Sequence, residues 1–161
     1  MFLSFAPLEG ITGWVYRAAH HTMFPGIDRY YTPFLSPTAE SPLTGRGGTD
    51  VLPAHNQGIP VIPQLLTNRA EDFISAARRL KDLGYQEVNW NLGCPSGTVV
   101  AKRKGAGFLA LPQQMEAFLD AIFSRLDLRI SIKTRIGVED PDEWPALLAL
   151  FSRYPVAELI V

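Results

Sequence analysis

Six apolar runs of strand length alternate with segments of helical period, and this alternation restricts the fold more than any other feature. Residues 2–8, 27–35, 61–66, 86–92, 129–136 and 157–161 predict strands. Between the first two, residues 14–23 read as a helix. Asn68 and Glu71 stand at capping-box spacing ahead of a helix that runs to Leu83 and stops at Gly84. Pro112 opens another over 112–125, with Met115, Phe118, Leu119 and Ile122 on one face. Asp140-Pro141 caps a further helix that continues to Arg153. The segment 36–58, full of Pro and Gly, allows at most a short helix near Asp50. Strand–helix–strand units connect by right-handed crossovers into a parallel α/β sheet. Six strands fit an open doubly wound sheet or the greater part of an eight-stranded barrel, and the pattern leaves both open. The last run reaches Val161 with no cap or polar tail after it, so a partial chain is expected.

Side chains two apart on a strand share a face. In 86–92 this sets Val88, Trp90 and Leu92 opposite Asn89 and Asn91. In 129–136 it sets Ile130, Ile132 and Thr134 opposite Ser131, Lys133 and Arg135. Gln64 stands near the carboxyl end of 61–66. In parallel α/β folds the apolar face packs on helices, and ligands meet the other face near the carboxyl ends. Amides and cations there cost free energy when buried without partners, so a polar ligand is the economical source of partners. Cys94, the only cysteine, lies between Gly93 and Pro95 at the end of the fourth run. A lone cysteine usually fills core space; its place at a ligand-facing strand end makes a chemical role the competing reading. Lys133 and Arg135 reduce to surface charges if their strand is an edge. The run Lys102, Arg103, Lys104 is either a solvated loop or a phosphate grip.

Composition narrows the partners. The formal net charge of -1 offers nucleic acid no overall attraction, so such a partner needs a local basic patch. One cysteine rules out an intrachain disulfide and suits a reducing cytoplasm. The start, "MFLSFAPLEG", lacks a basic n-region and breaks at Pro7, which predicts neither a signal peptide nor a membrane partner. Gly105 and Gly107 match neither a P-loop nor a dinucleotide fingerprint, and no HExxH or Cys/His cluster indicates a metal. His20 and His21, at a helix end, read as structural. At 161 residues, 47% of them hydrophobic, the chain suffices for one domain with a core.

Five motifs, "APLEGITG" (6–13), "QLL" (64–66), "NLGCPS" (91–96), "VVAKRKGAGFLAL" (99–111) and "IKTRIG" (132–137), occur in this order and spacing. Together they resemble the tRNA-dihydrouridine synthase family over essentially the whole chain. The resemblance implies a TIM (β/α)8 barrel truncated to about its first six strands. Residues 1–161 would be the N-terminal portion of an FMN-binding catalytic domain. The last two strands, part of the flavin phosphate site and a helical tRNA-binding domain would lie outside it. It implies FMN-dependent reduction of uridine to 5,6-dihydrouridine in tRNA, with NADPH or NADH as reductant. By the same resemblance Ala6, Pro7 and Leu8 lie against the isoalloxazine ring, and Gln64 and Lys133 hydrogen-bond the flavin. Asn91 and Arg135 orient the target uracil, and Cys94 donates the proton. Reducing the C5=C6 bond needs hydride at C6 and a proton at C5 from the opposite face. A free thiol titrates near about 8.5 and is mostly protonated at neutral pH, which suits that task. The target base has to leave its stack to reach such a pocket.

The chain departs from the family pattern at three places. Leu8 stands where a Met is usual, Gly13 where an acid is often found, and Ser36 where many members carry a basic residue. Two other readings compete: a dihydroorotate dehydrogenase-like FMN oxidoreductase, and a catalytically silent barrel fragment that only binds RNA or flavin. "IKTRIG" and "GCPS" favour the tRNA enzymes. The open strand edges of a six-stranded piece predict self-association.

Overall fold

A computed structural model describes residues 1–38, 40, 41, 43 and 45–161. The apolar runs pair in the order in which they occur. They form β1 (Ser4–Phe5), β2 (Arg29–Tyr31), β3 (Val61–Ile62), β4 (Gln64–Leu65), β5 (Glu87–Asn91), β6 (Arg129–Lys133) and β7 (Leu159–Ile160). Every pairing is parallel. The predicted third strand is split into β3 and β4 at Pro63, whose ring nitrogen has no hydrogen to give to a ladder. β3 pairs with β2, and β4 with β5. The two halves stay joined because Leu35 N–H donates to Gln64 O (2.8 Å) and Leu66 N–H to Leu35 O (2.7 Å).

Sequential order without a reversal decides between the two expected architectures. A doubly wound sheet changes direction at a switch point; here β1-β2-β3 and β4-β5-β6-β7 each follow sequence order without a reversal, joined through Leu35. It also curves, so that β2 and the residue before β7 come into contact. Arg29 and Tyr31 of β2 both reach Glu158, next to β7, with Tyr31 Oη donating to Glu158 Oε2 at 2.9 Å. Glu87, at the start of β5, lies 3.9 Å from Arg29. The architecture is that of a TIM barrel, with six consecutive strand positions present. Burial of Tyr31 pushes its phenol up to about 12.

The helices are α1 (Trp14–Met23), α2 (Gly45–Asp50), α3 (Ala70–Asp82), α4 (Gly97–Val100), α5 (Pro112–Arg125) and α6 (Trp144–Phe151). α1 and α5 match the sequence expectation in both bounds. α3 does not start as expected: Asn68 forms no capping box. Its side-chain amide instead donates to the carbonyls of Lys102 (3.1 Å) and Arg103 (3.0 Å), and Arg69 takes the cap position with no side-chain bond. Gly84 does end the helix, at φ 99°, in the left-handed region that a Cβ disfavours. Asp140 caps as expected, and Glu143 completes an unforeseen capping box with it, but over a 3-10 turn at Pro141–Glu143, and α6 stops at Phe151 rather than Arg153.

Val88, Trp90 and Leu92 of the fourth run face the helix layer and are fully buried. The Trp90 ring stacks on Phe118 of α5 at 4.1 Å and meets Phe73 of α3 edge-on. Its Nε1–H donates to Thr67 O at 3.0 Å, so the ring is buried without an unpaired donor. On the far side, buried Arg17 of α1 donates to Thr12 O, Asp50 O and Asn56 Oδ1. Asp50 Oδ1 accepts from Trp14 N–H at 2.6 Å. Burial lowers the Arg17 pKa against the opposing pull of Asp50. This cluster ties the loop after β1 to the segment 50–56. His20 and His21 both meet the ring of Tyr30 edge-on. Among the described residues no helix is long and apolar enough to cross a membrane, and no three His, Cys, Asp or Glu gather as metal ligands.

Candidate active site

The carboxyl ends of the strands open on a cavity of about 300 Å³. Pro7 and Leu8 after β1, Gln64 of β4, Asn91 and Cys94 at the end of β5, and Lys133 and Arg135 at the end of β6 all line it. Residues spread over 129 positions of sequence thus converge because parallel strands point their carboxyl ends the same way. Ala6 is the one expected site residue that does not line the cavity. β6 is flanked by β5 and β7, so Lys133 is not on an edge.

The inward amides of β4, β5 and β6 form a one-way relay. Asn91 Nδ2 donates to Gln64 Oε1 (2.7 Å), Gln64 Nε2 to Asn89 Oδ1 (2.8 Å), and Asn89 Nδ2 to Ser131 Oγ (3.0 Å). Register explains it: Gln64 pairs with Asn89 and Asn89 with Ser131. Thr32 adds a further bond, its Oγ1 accepting from Gln64 N–H at 3.0 Å. The expectation that a ligand satisfies these amides is therefore corrected. They satisfy one another, and Gln64 and Asn91 keep one N–H each for anything else.

Lys133 differs. Its ammonium has no hydrogen bond or ion pair among the described residues, although the side chain is half-buried at the cavity.

The loop carrying Cys94 is held from both ends. Asn91 Oδ1 accepts from the N–H groups of Gly93 (3.1 Å) and Cys94 (3.0 Å). The Arg135 Nε–H donates to Gly93 O at 2.7 Å, and Ala106 N–H to Cys94 O at 3.1 Å. Gly105 allows this contact: at φ 54°, a Cβ there would lie 2.7 Å from Cys94 O. Cys94 is neither fully buried nor fully exposed. Asn91, expected to contact substrate, thus also positions Cys94.

Sequence reasoning did not single out Glu9, Pro33 or Phe34, which line the cavity and a neighbouring cleft of about 420 Å³ toward Trp14 and Asp50. Glu9 directly follows the expected ligand residues, which was its available signal. Asn89 was placed on the polar face but given no role. Thr32 had no signal, since its bond spans two strands.

The model of the family described as Dihydrouridine synthase (Dus) matches residues 4–149. A tRNA-dihydrouridine(20/20a) synthase of Vibrio vulnificus (strain CMCP6) is 33% identical over 93% of this chain and 44% of its own length. The corresponding protein of Vibrio parahaemolyticus serotype O3:K6 is 34% identical over the same shares. A probable tRNA-dihydrouridine synthase 2 of Bacillus subtilis (strain 168) is 26% identical over 99% of the chain and 49% of its own length. The chain thus spans less than half the length of these relatives.

Proposed function

The chain belongs to the dihydrouridine synthase family, and on that premise we propose that its cavity is where a tRNA uridine is reduced to 5,6-dihydrouridine. The observation that carries this reading is the meeting of an unpartnered Lys133 with Cys94, Arg135 and two half-committed amides at one strand-end cavity. NADPH or NADH is the proposed ultimate reductant.

The donor set fits FMN. A free ammonium beside a spare Gln64 N–H suits the electron-rich pyrimidine edge of a flavin, and Pro7 and Leu8 offer apolar contact to a ring. Bound there, FMN would supply hydride to the substrate. Gln64 and Lys133 hold the cofactor in this reading, with the ammonium stabilising negative charge. Arg135, with Nε committed to Gly93 O, keeps its two terminal nitrogens for the uracil carbonyls. Asn91 gives its remaining N–H to the same base. Cys94 delivers a proton to C5, and the bonds to its backbone N–H and C=O fix where the thiol can stand. Losing a positioned general acid costs about 100- to 10,000-fold.

The test uses the intact protein with its flavin reduced anaerobically beforehand. On adding unmodified tRNA, wild type should reoxidise, and Cys94→Ala should do so at least about 100-fold more slowly. Cys94→Ser should be nearly as slow, because a hydroxyl is a far weaker acid. Reoxidation of the alanine variant near the wild-type rate would make Cys94 a packing residue.

A further inference from the structure

Next to Cys94 lies a basic turn that the proposed chemistry does not use. Lys102 and Arg103 are exposed and Lys104 is half-buried. Among the described residues none of the three enters an ion pair. A solvated charge run usually has a loose backbone, and this one does not. Lys102 and Lys104 N–H donate to Val99 O, both at 3.1 Å, and Arg103 N–H to Val100 O at 2.8 Å. Asn68, just beyond β4, clamps the carbonyls of Lys102 and Arg103 with one amide. Arg103 sits at φ 53°, the only non-glycine residue at positive φ among those described. A long side chain rarely adopts that conformation without something to hold it there. The residue that follows the three cations, Gly105, rests on the Cys94 carbonyl.

Three unpaired cations are therefore presented by a fixed turn whose backbone abuts the Cys94 loop. The chain carries a formal net charge of -1, so attraction for a polyanion has to come from such a local patch. We propose that the Lys102–Arg103–Lys104 turn is a phosphate grip, which holds RNA backbone phosphates beside the nucleotide whose base enters the cavity. Asn68 acts as its positioning residue, because it fixes the turn without adding charge. The inference rests on the reading of the cavity as a uridine site.

The experiment measures affinity for an unmodified tRNA transcript against NaCl concentration, and KM and kcat for its reduction, in the intact protein. Three phosphate contacts release about two counterions, at roughly 0.7 each for single-stranded RNA. The triple variant Lys102→Gln, Arg103→Gln, Lys104→Gln should therefore flatten the slope of log K against log salt by about 2, and weaken binding on the order of 10- to 100-fold at about 0.1 M salt. KM should rise accordingly, with kcat at saturating tRNA within about threefold of wild type. Asn68→Ala keeps every charge, so it should raise KM several-fold with a smaller change of slope. An unchanged slope and KM in the triple variant, alongside an active wild type, overturns the grip and leaves the uridine site standing. A fall in kcat alone also overturns it, since the turn would then serve only to place Cys94. A wild type that neither binds nor reduces tRNA overturns both readings.

Discussion

Replacing Asn91 by alanine removes three hydrogen bonds whose partners are fixed by the barrel. The Oε1 of Gln64, a buried side chain, loses its donor at 2.7 Å, and a buried polar group left unpaired costs about 1–3 kcal/mol. The N–H groups of Gly93 and Cys94 lose the acceptor they share, each contributing about 0.5–1.5 kcal/mol net. The expected destabilisation is about 2–6 kcal/mol, or roughly 4–24 °C in Tm for a chain of this size. Asn91→Asp should be milder. Its carboxylate keeps both backbone contacts, and the relay can run backwards: Gln64 turns Nε2 toward it, Asn89 turns Nδ2 toward Gln64, and the Ser131 hydroxyl donates to Asn89. The ammonium of Lys133, the register partner of Asn91 on β6, offsets the new charge. Urea unfolding followed by tryptophan fluorescence measures both. The same loosening should slow proton delivery, because a displacement of about 1 Å at a reacting group costs roughly 100-fold. Single-turnover reoxidation at a temperature where the variant is folded reads that loss. An alanine variant within about 0.5 kcal/mol of wild type, or an aspartate variant as unstable as the alanine one, would refute the relay argument.

Gly105→Ala should destabilise by about 2–3 kcal/mol, since left-handed geometry alone costs a side chain about 1–2 kcal/mol and the new Cβ would meet Cys94 O at 2.7 Å. Gly97→Ala, where a Cβ meets nothing within 4 Å, is the control and should be near neutral; equal losses in urea unfolding would contradict the packing described. Tyr31 stays neutral in the fold up to about 12, while an unfolded tyrosine ionises near about 10. Its stabilising effect is therefore complete below pH 10 and is lost between about 10 and 12, by roughly 1 kcal/mol at pH 11. Tyr31→Phe should remove that part of the alkaline decline, seen as a smaller stability difference between pH 9 and pH 11; an unaltered decline would place the titration elsewhere.

The alternation of runs was enough to foresee parallel strands, and period was enough to place α1 and α5, because both are local properties of the chain. Barrel and open sheet differ only in strand order, which no local pattern encodes. The break at Pro63 was written in the residue type, yet it reads as a break only once both neighbours of that strand are known. Asn68 shows how a sound local rule yields to a longer-range partner. The capping-box spacing to Glu71 is real, but two carbonyls held by the turn 102–104 take the side-chain amide instead, and α3 starts without a side-chain cap.

The polar inner face teaches a sharper lesson. The premise that buried amides need partners held, and the conclusion that a ligand must provide them did not, because Gln64, Asn89, Asn91 and Ser131 find each other through register. The premise then isolates a different residue. Once the amides are paired, Lys133 remains as the half-buried cation at the cavity with no ion pair among the described residues, and Cys94 as a thiol whose backbone is tied down while its side chain is not. A self-satisfied relay beneath an unsatisfied cation is what a preorganised site requires: its orienting groups are locked before a ligand arrives, so binding need not order them. The relay then holds the fold as well as the proposed site, whereas Lys133 is proposed to serve the site alone. The two should separate in experiment, because Asn91→Ala is expected to move Tm, whereas an unpaired ammonium contributes little to hold the fold.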